Sequence, residues 1–73
     1  MQLSHDDEHN FSITKLEKML KTNNVFFFDS VEFENIIQHY LEIGKVALAK
    51  KAIKIGLEQH PSSIILTLFK IEL

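Results

Sequence analysis

The apolar positions along the chain recur at intervals of three and four residues, a spacing that predicts amphipathic helices. The pattern is clearest in residues 33–61, where one stripe ends at Gly44 and a second ends at Pro61. Because both residue types end helices, this stretch predicts two helices joined by a turn, at residues 30–43 and 45–60. The stripes consist of Phe33, Ile36, Ile37, Tyr40 and Leu41, and then of Val46, Ala49, Ala52, Ile53, Gly56 and Leu57.

Local signals at the start of the first of these helices agree with its apolar stripe. Asp29 and Glu32 have the spacing of a capping box, in which Asp29 is the N-cap residue. Phe28 and Phe33 flank the cap at the positions of a hydrophobic staple. In the second helix, Gly56 costs about 1 kcal/mol relative to Ala, so we expect another helix to pack closely against it.

The segment before residue 29 predicts one short helix and an apolar linker. Residues 11–21 carry an apolar stripe, with Ser12 as the N-cap residue and Phe11 packing on Leu16 as a staple. The valine and three phenylalanines at residues 25–28 have no second strand-like run to pair with, so we interpret them as a linker. We expect one or two of these rings to face the core and at least one to stay at the edge, where another protein could contact it.

The amino-terminal residues 1–10 are acidic and polar, and they show no apolar periodicity. We predict that they form a flexible tail. His5 and His9 are four residues apart, a spacing that on a helix can hold a divalent metal ion. No supporting residue is visible beside them, so we interpret them as solvated and predict no metal site.

The last segment is apolar on nearly every side. Pro61 ends the preceding helix, and either Ser62 or Ser63 is placed to cap a further helix. Since such a helix needs partners on several sides, we expect the chain either to be cut from a larger repeating structure or to form a homo-oligomer by stacking or exchanging this helix. The residues assigned to self-association are Ile64, Ile65, Leu68, Phe69 and Ile71.

The composition is that of one small globular domain. A chain of 73 residues buries only about 60% of the surface that its unfolded form exposes, so its stability is marginal. It contains no cysteine, which excludes disulfides and thiolate metal sites. A net charge of -2 with no arginine disfavours nucleic acid as a partner. We see neither a signal peptide nor an apolar run long enough for a membrane span, and therefore expect a soluble cytoplasmic protein.

Candidate catalytic side chains are few. His39 and Glu42 lie three residues apart on one predicted helix, next to Tyr40, and His60 lies at the end of the following helix. No serine, cysteine or glycine-rich loop is placed to complete a nucleophile, an oxyanion site or a phosphate site. We therefore predict a non-catalytic protein without a cofactor.

Nine residues of the central stretch fall at the spacing of the tetratricopeptide repeat, a helix-turn-helix unit of about 34 residues. The chain resembles the amino-terminal part of such a protein, with one clear repeat. It departs from the family at Ile37, where a small residue is usual, at Ile53, where an aromatic is frequent, and at Gly56, where Ala is commonest. The nine residues that match the repeat in spacing, including these three that differ from it in residue type, are Phe33, Ile36, Ile37, Tyr40, Gly44, Ala49, Ile53, Gly56 and Pro61.

The resemblance implies an all-α fold in which three to four helices begin an α-solenoid. In residues 11–73, it assigns residues 11–28 to a capping helix and linker, residues 29–61 to the repeat, and residues 62–73 to the first helix of an incomplete second repeat. It further implies a protein-interaction scaffold whose groove is lined by the first helix of each repeat. The implied groove residues are Val31, Glu34, Asn35, Gln38, Leu41 and Glu42.

The charges of this implied groove bear on its partner. Family members that grip a carboxylate at the end of a peptide use lysine and asparagine, whereas Glu34 stands where a lysine would be needed. With Glu34 and Glu42, the groove suits a basic or neutral segment. The alternative is that these are ordinary solvated helix residues.

Four lysines on the second helix of the repeat offer a further alternative. A basic amphipathic helix can bind acidic partners or a membrane surface. We favour a solvated outer face, so a membrane is not expected as a partner. The lysines are Lys45, Lys50, Lys51 and Lys54.

Overall fold

The computed structural model describes the backbone of residues 5–22 and 24–73, and the side chains of residues 11–22 and 24–73. Over these residues the chain forms four α-helices and no strand, so the predicted all-α fold is confirmed. Helix α2 packs most extensively on α3, and smaller contacts join α3 to α4, α1 to α2, and α2 to α4. The helices are α1 (His5–Thr22), α2 (Ser30–Glu42), α3 (Val46–Gln59) and α4 (Ile64–Glu72).

Helix α1 is longer than its apolar stripe predicts. It begins at His5, so residues 5–10 are helical where the sequence predicted a flexible tail; residues 1–4 lie outside the described part. Acidic residues in a first turn suit the helix dipole, and a helix of this kind can extend beyond its apolar stripe. Ser12 is therefore not a cap: its hydroxyl donates to a Glu32 carboxylate oxygen at 3.1 Å. Phe11 is 66% exposed, so the predicted staple on Leu16 is also wrong.

The linker between α1 and α2 divides its three rings as predicted. Phe28 is fully buried, Phe26 is partly buried against the core, and Phe27 is 64% exposed. Side chains at the end of α3 hold this linker in place. The Gln59 amide accepts from the Phe28 N–H at 3.0 Å and donates to the Phe26 carbonyl at 2.8 Å, and His60 Nε2 lies 2.6 Å from the Phe28 carbonyl oxygen.

The start of α2 has the predicted local structure. The Asp29 N–H donates to Glu32 Oε1 at 3.1 Å, in a capping box. The rings of Phe28 and Phe33 are both buried, with centroids 5.3 Å apart, which confirms the staple. At the other end, Gly44 has a φ of 77°, the left-handed conformation that a helix stop requires.

Gly56 allows three elements to meet. A Cβ atom at this position would lie 3.0 Å from Leu66 Cδ1 on α4 and 3.1 Å from Phe33 Cγ on α2. Such distances are closer than ordinary van der Waals contact, so the expected close packing is confirmed. The buried apolar residues of the core are Ile13, Leu16, Met19, Phe28, Phe33, Ile36, Ile37, Tyr40, Ala49, Ala52, Ile53 and Leu66.

Candidate functional site

One face of α2 stays open although this helix contacts all three others. Val31 is 60% exposed, and Gln38 and Glu42 are exposed as well. Glu34 and Asn35 are half-buried beside them. Leu41 differs from the other five predicted groove residues because it packs partly against the core. The structure thus places the six residues on a mixed face with apolar, amide and acidic side chains.

Helix α4 leaves an apolar face uncovered. Leu66 is fully buried, and Phe69 packs partly against the core, so Phe69 does not belong to the outward face assigned to self-association. The other four residues do. They are Ile64 (75% exposed), Ile71 (74%), Leu68 (47%) and Ile65 (44%).

A groove of about 460 Å³ runs between α3 and α4. A neighbouring depression of about 280 Å³ shares three of its residues and continues to Leu73. We call the two together the lysine groove. Its residues are Lys50, Ile53, Lys54, Leu57, Glu58, Lys70 and Leu73.

The four lysines grouped by the sequence do not share one surface. Lys50 and Lys54 border the lysine groove, where Lys70 of α4 joins them. Lys51 instead lines a depression of about 510 Å³ near Met19 on α1, and Lys45 is the residue before α3. The basic cluster is therefore formed by two helices and excludes half of the predicted set.

Three of the four candidate catalytic groups take part in packing, whereas Glu42 is exposed. The Tyr40 side chain is 1% exposed, and its hydroxyl donates to Glu17 Oε2 at 3.1 Å. Burial, reinforced by the hydrogen bond and the negative charge of Glu17, raises the pKa of Tyr40 to about 12. The His39 ring packs edge-on against Tyr40 in the last turn of α2, while His60 contacts Phe33 near the start of that helix.

The prediction that His5 and His9 form no metal site concerns side chains outside the described part of the chain, so it stays a prediction. Among the side chains that are described, no three His, Asp or Glu residues are grouped as metal ligands would be. No helix in the described ranges is both long and apolar enough to cross a membrane.

Several contacts around these surfaces escape sequence analysis because they join distant parts of the chain. Gln59 bonds to backbone groups 31 and 33 residues away, and no local pattern marks it. Ser12 and Glu17 act across the α1–α2 interface rather than within their own helix. Lys70 did offer a signal, because it is the one basic residue in an otherwise largely apolar helix.

Comparisons with protein-family models, curated proteins and solved structures gave no match to this chain. The resemblance to the tetratricopeptide repeat stays a prediction based on the residue spacing. We therefore base the functional proposal on the contacts, burial and charges of the described residues.

Proposed function

We propose that the chain is a non-catalytic protein-interaction scaffold of the tetratricopeptide type, which binds a peptide or helix of a partner protein along α2. The supporting observation is the open face of α2 on a helix otherwise held by α1, α3 and α4. A helix fixed on its remaining sides presents its outward side chains in a set arrangement, which lowers the entropy lost on binding. The most exposed apolar residue of this face is Val31, at 60%.

The charge of this face selects among partners. Glu34 and Glu42 lie eight residues apart on the same side of α2, with Gln38 between them. Carboxylates steer basic segments toward the surface and penalise acidic ones. The preferred partner is accordingly a basic or neutral segment whose apolar side chains contact Val31.

Two synthetic amphipathic peptides test this proposal. Both are about 14 residues long, roughly four helical turns, with the same leucine positions; one carries lysine and the other glutamate at the polar positions. We expect the lysine peptide to bind, and Glu42→Lys to weaken its affinity roughly three- to tenfold, measured by fluorescence anisotropy. Amide shift changes in a heteronuclear NMR spectrum should concentrate on α2.

Glu72→Lys is the matched control, because Glu42 and Glu72 are both exposed and each is the last residue of its helix. It makes the same charge change on α4 and should leave the affinity unchanged. Failure of the lysine peptide to bind, or an equal loss in both variants, would contradict binding at α2.

A second candidate function is self-association into a homodimer through α4. The observation that favours it is the uncovered apolar face, with Ile64 and Ile71 each about three-quarters exposed. A second copy would cover this face by stacking its own α4, in a contact with twofold symmetry.

A further inference from the structure

The lysine groove has a charge opposite to that of the chain as a whole. Three lysines from two helices border it against a single acidic side chain, Glu58, whereas the entire chain carries a net charge of -2. Charges of one sign along a cleft with apolar walls concentrate the field there and attract ligands of opposite charge. The groove therefore favours a negatively charged ligand although the protein is acidic.

The floor of the groove is apolar. Ile53 is 3% exposed at its base, Leu57 is partly buried beside it, and Leu73 is 39% exposed in the adjoining depression. Isolated phosphates and carboxylates gain nothing from such a floor. An amphipathic helix does, because its apolar residues at helical spacing fill a groove while its polar residues meet the rim.

We propose that the lysine groove binds an acidic amphipathic helix of a partner protein. Its leucine-like side chains would cover the exposed parts of Leu57 and Leu73, and its carboxylates would pair with Lys50, Lys54 and Lys70. This surface is separate from the α2 face and selects the opposite charge, so the two proposals stand or fall independently.

Nucleic acid and membrane surfaces fit these observations less well. The groove residues include no arginine and no aromatic side chain, which are the groups that hold phosphates and stacked bases most effectively. A membrane is flat, whereas the lysines border a concave groove. The most exposed apolar side chains of α4, Ile64 and Ile71, are not among the residues that line it.

The glutamate peptide is the probe. We expect it to bind the full chain, more weakly at about 0.15 M salt than at low salt, because screening reduces attraction at an exposed rim. The double variant Lys50→Glu with Lys54→Glu should lower its affinity about tenfold or more, since repulsion replaces attraction at two positions. Both residues are exposed, and circular dichroism will verify that the variant remains folded.

Lys51→Glu supplies the control on the same helix, because Lys51 is exposed but lies outside the groove. To match the charge change, Lys51→Glu is combined with Lys45→Glu, which is also exposed and outside the groove. The control should bind the glutamate peptide with an affinity within about twofold of that of the parent chain. In the parent chain, the amide shift changes caused by this peptide should centre on Ile53, Leu57 and Leu73.

Three outcomes would overturn the proposal: no binding of the glutamate peptide, equal losses in the two double variants, or NMR shifts away from the groove. Sedimentation with vesicles containing anionic phospholipid provides a fourth. The groove binds a membrane instead if three results occur together. The protein pellets with the vesicles, the double variant Lys50→Glu with Lys54→Glu no longer pellets, and the glutamate peptide does not bind. The α2 proposal is tested separately, because Glu42→Lys leaves the lysine groove intact.

Discussion

At the scale of single residues, Tyr40 shows how burial fixes the state of a polar group. Its hydroxyl is enclosed at the α1–α2 interface and donates to Glu17. Loss of the proton would bury a phenolate next to a carboxylate, which is why the pKa of Tyr40 rises to about 12. At neutral pH the side chain is therefore a neutral hydrogen-bond donor that joins two helices.

This state can be measured directly because Tyr40 is the only tyrosine in the chain. Ultraviolet absorbance should give a phenolate midpoint near pH 12 in the native protein. In denaturant it should fall to about 10, the ordinary value. A native midpoint near 10, with circular dichroism showing an intact fold, would contradict the buried hydrogen bond.

The sign of the linked stability follows from the same two values. The folded pKa of Tyr40 lies above the unfolded one, so the folded state retains its proton while the unfolded state loses it. The stabilising contribution is complete below about pH 10 and disappears as the pH rises through about 12. The free energy of unfolding of Tyr40→Phe should therefore fall less than that of the parent chain between about pH 10 and about pH 12.

At the scale of elements, helix ends are set by a few residues with specific local bonds. Asp29 and Glu32 begin α2, Gly44 ends it, and Ser63 begins α4, where its hydroxyl accepts from the Leu66 N–H at 3.3 Å. The sequence left Ser62 and Ser63 as alternatives. The structure selects Ser63, since its backbone is extended and its side chain reaches the first turn.

Adjacent serines allow a matched test of this cap. Ser63→Ala should lower the free energy of unfolding by about 0.5–2 kcal/mol, because the Leu66 N–H loses its acceptor. Ser62→Ala, at the exposed neighbouring position, should change it by less than about 0.5 kcal/mol. Urea denaturation measures both, and equal losses would show that Ser63 does not cap α4.

At the scale of the whole molecule, the uncovered face of α4 is the surface through which we propose that the chain associates with itself. We expect light scattering to show a mass above that of one chain as the concentration rises. Leu68→Glu should restore the monomer, because a charge would replace an apolar contact at the centre of this face.

Thr14→Glu is the control, with the same added charge at an exposed polar position on α1, whose described residues do not contact α4. It should associate like the parent chain. A monomer at every concentration, or dissociation in both variants, would rule out the α4 interface.

The sequence predicts structure best where that structure depends on neighbours along the chain. The helices predicted at residues 30–43 and 45–60 are observed as Ser30–Glu42 and Val46–Gln59, because caps, glycine and proline act locally. The start of α1 differs most from its prediction, because its polar first turns carry no apolar period. The mixed face of α2 could be located from its helical spacing, except that Leu41 turns partly into the core.

By itself, the sequence determined the all-α class, the α2–α3 hairpin, its capping and the close approach at Gly56. These features follow from local conformational preferences and apolar periodicity, which depend on the residue types and their spacing and not on tertiary contacts. Only the tertiary structure decided which side chains from different helices meet. In this structure Lys70 lies beside Lys50 and Lys54, Phe69 packs partly against the core, and Gln59 bonds to the linker. Contacts of this kind depend on how the helices pack against one another.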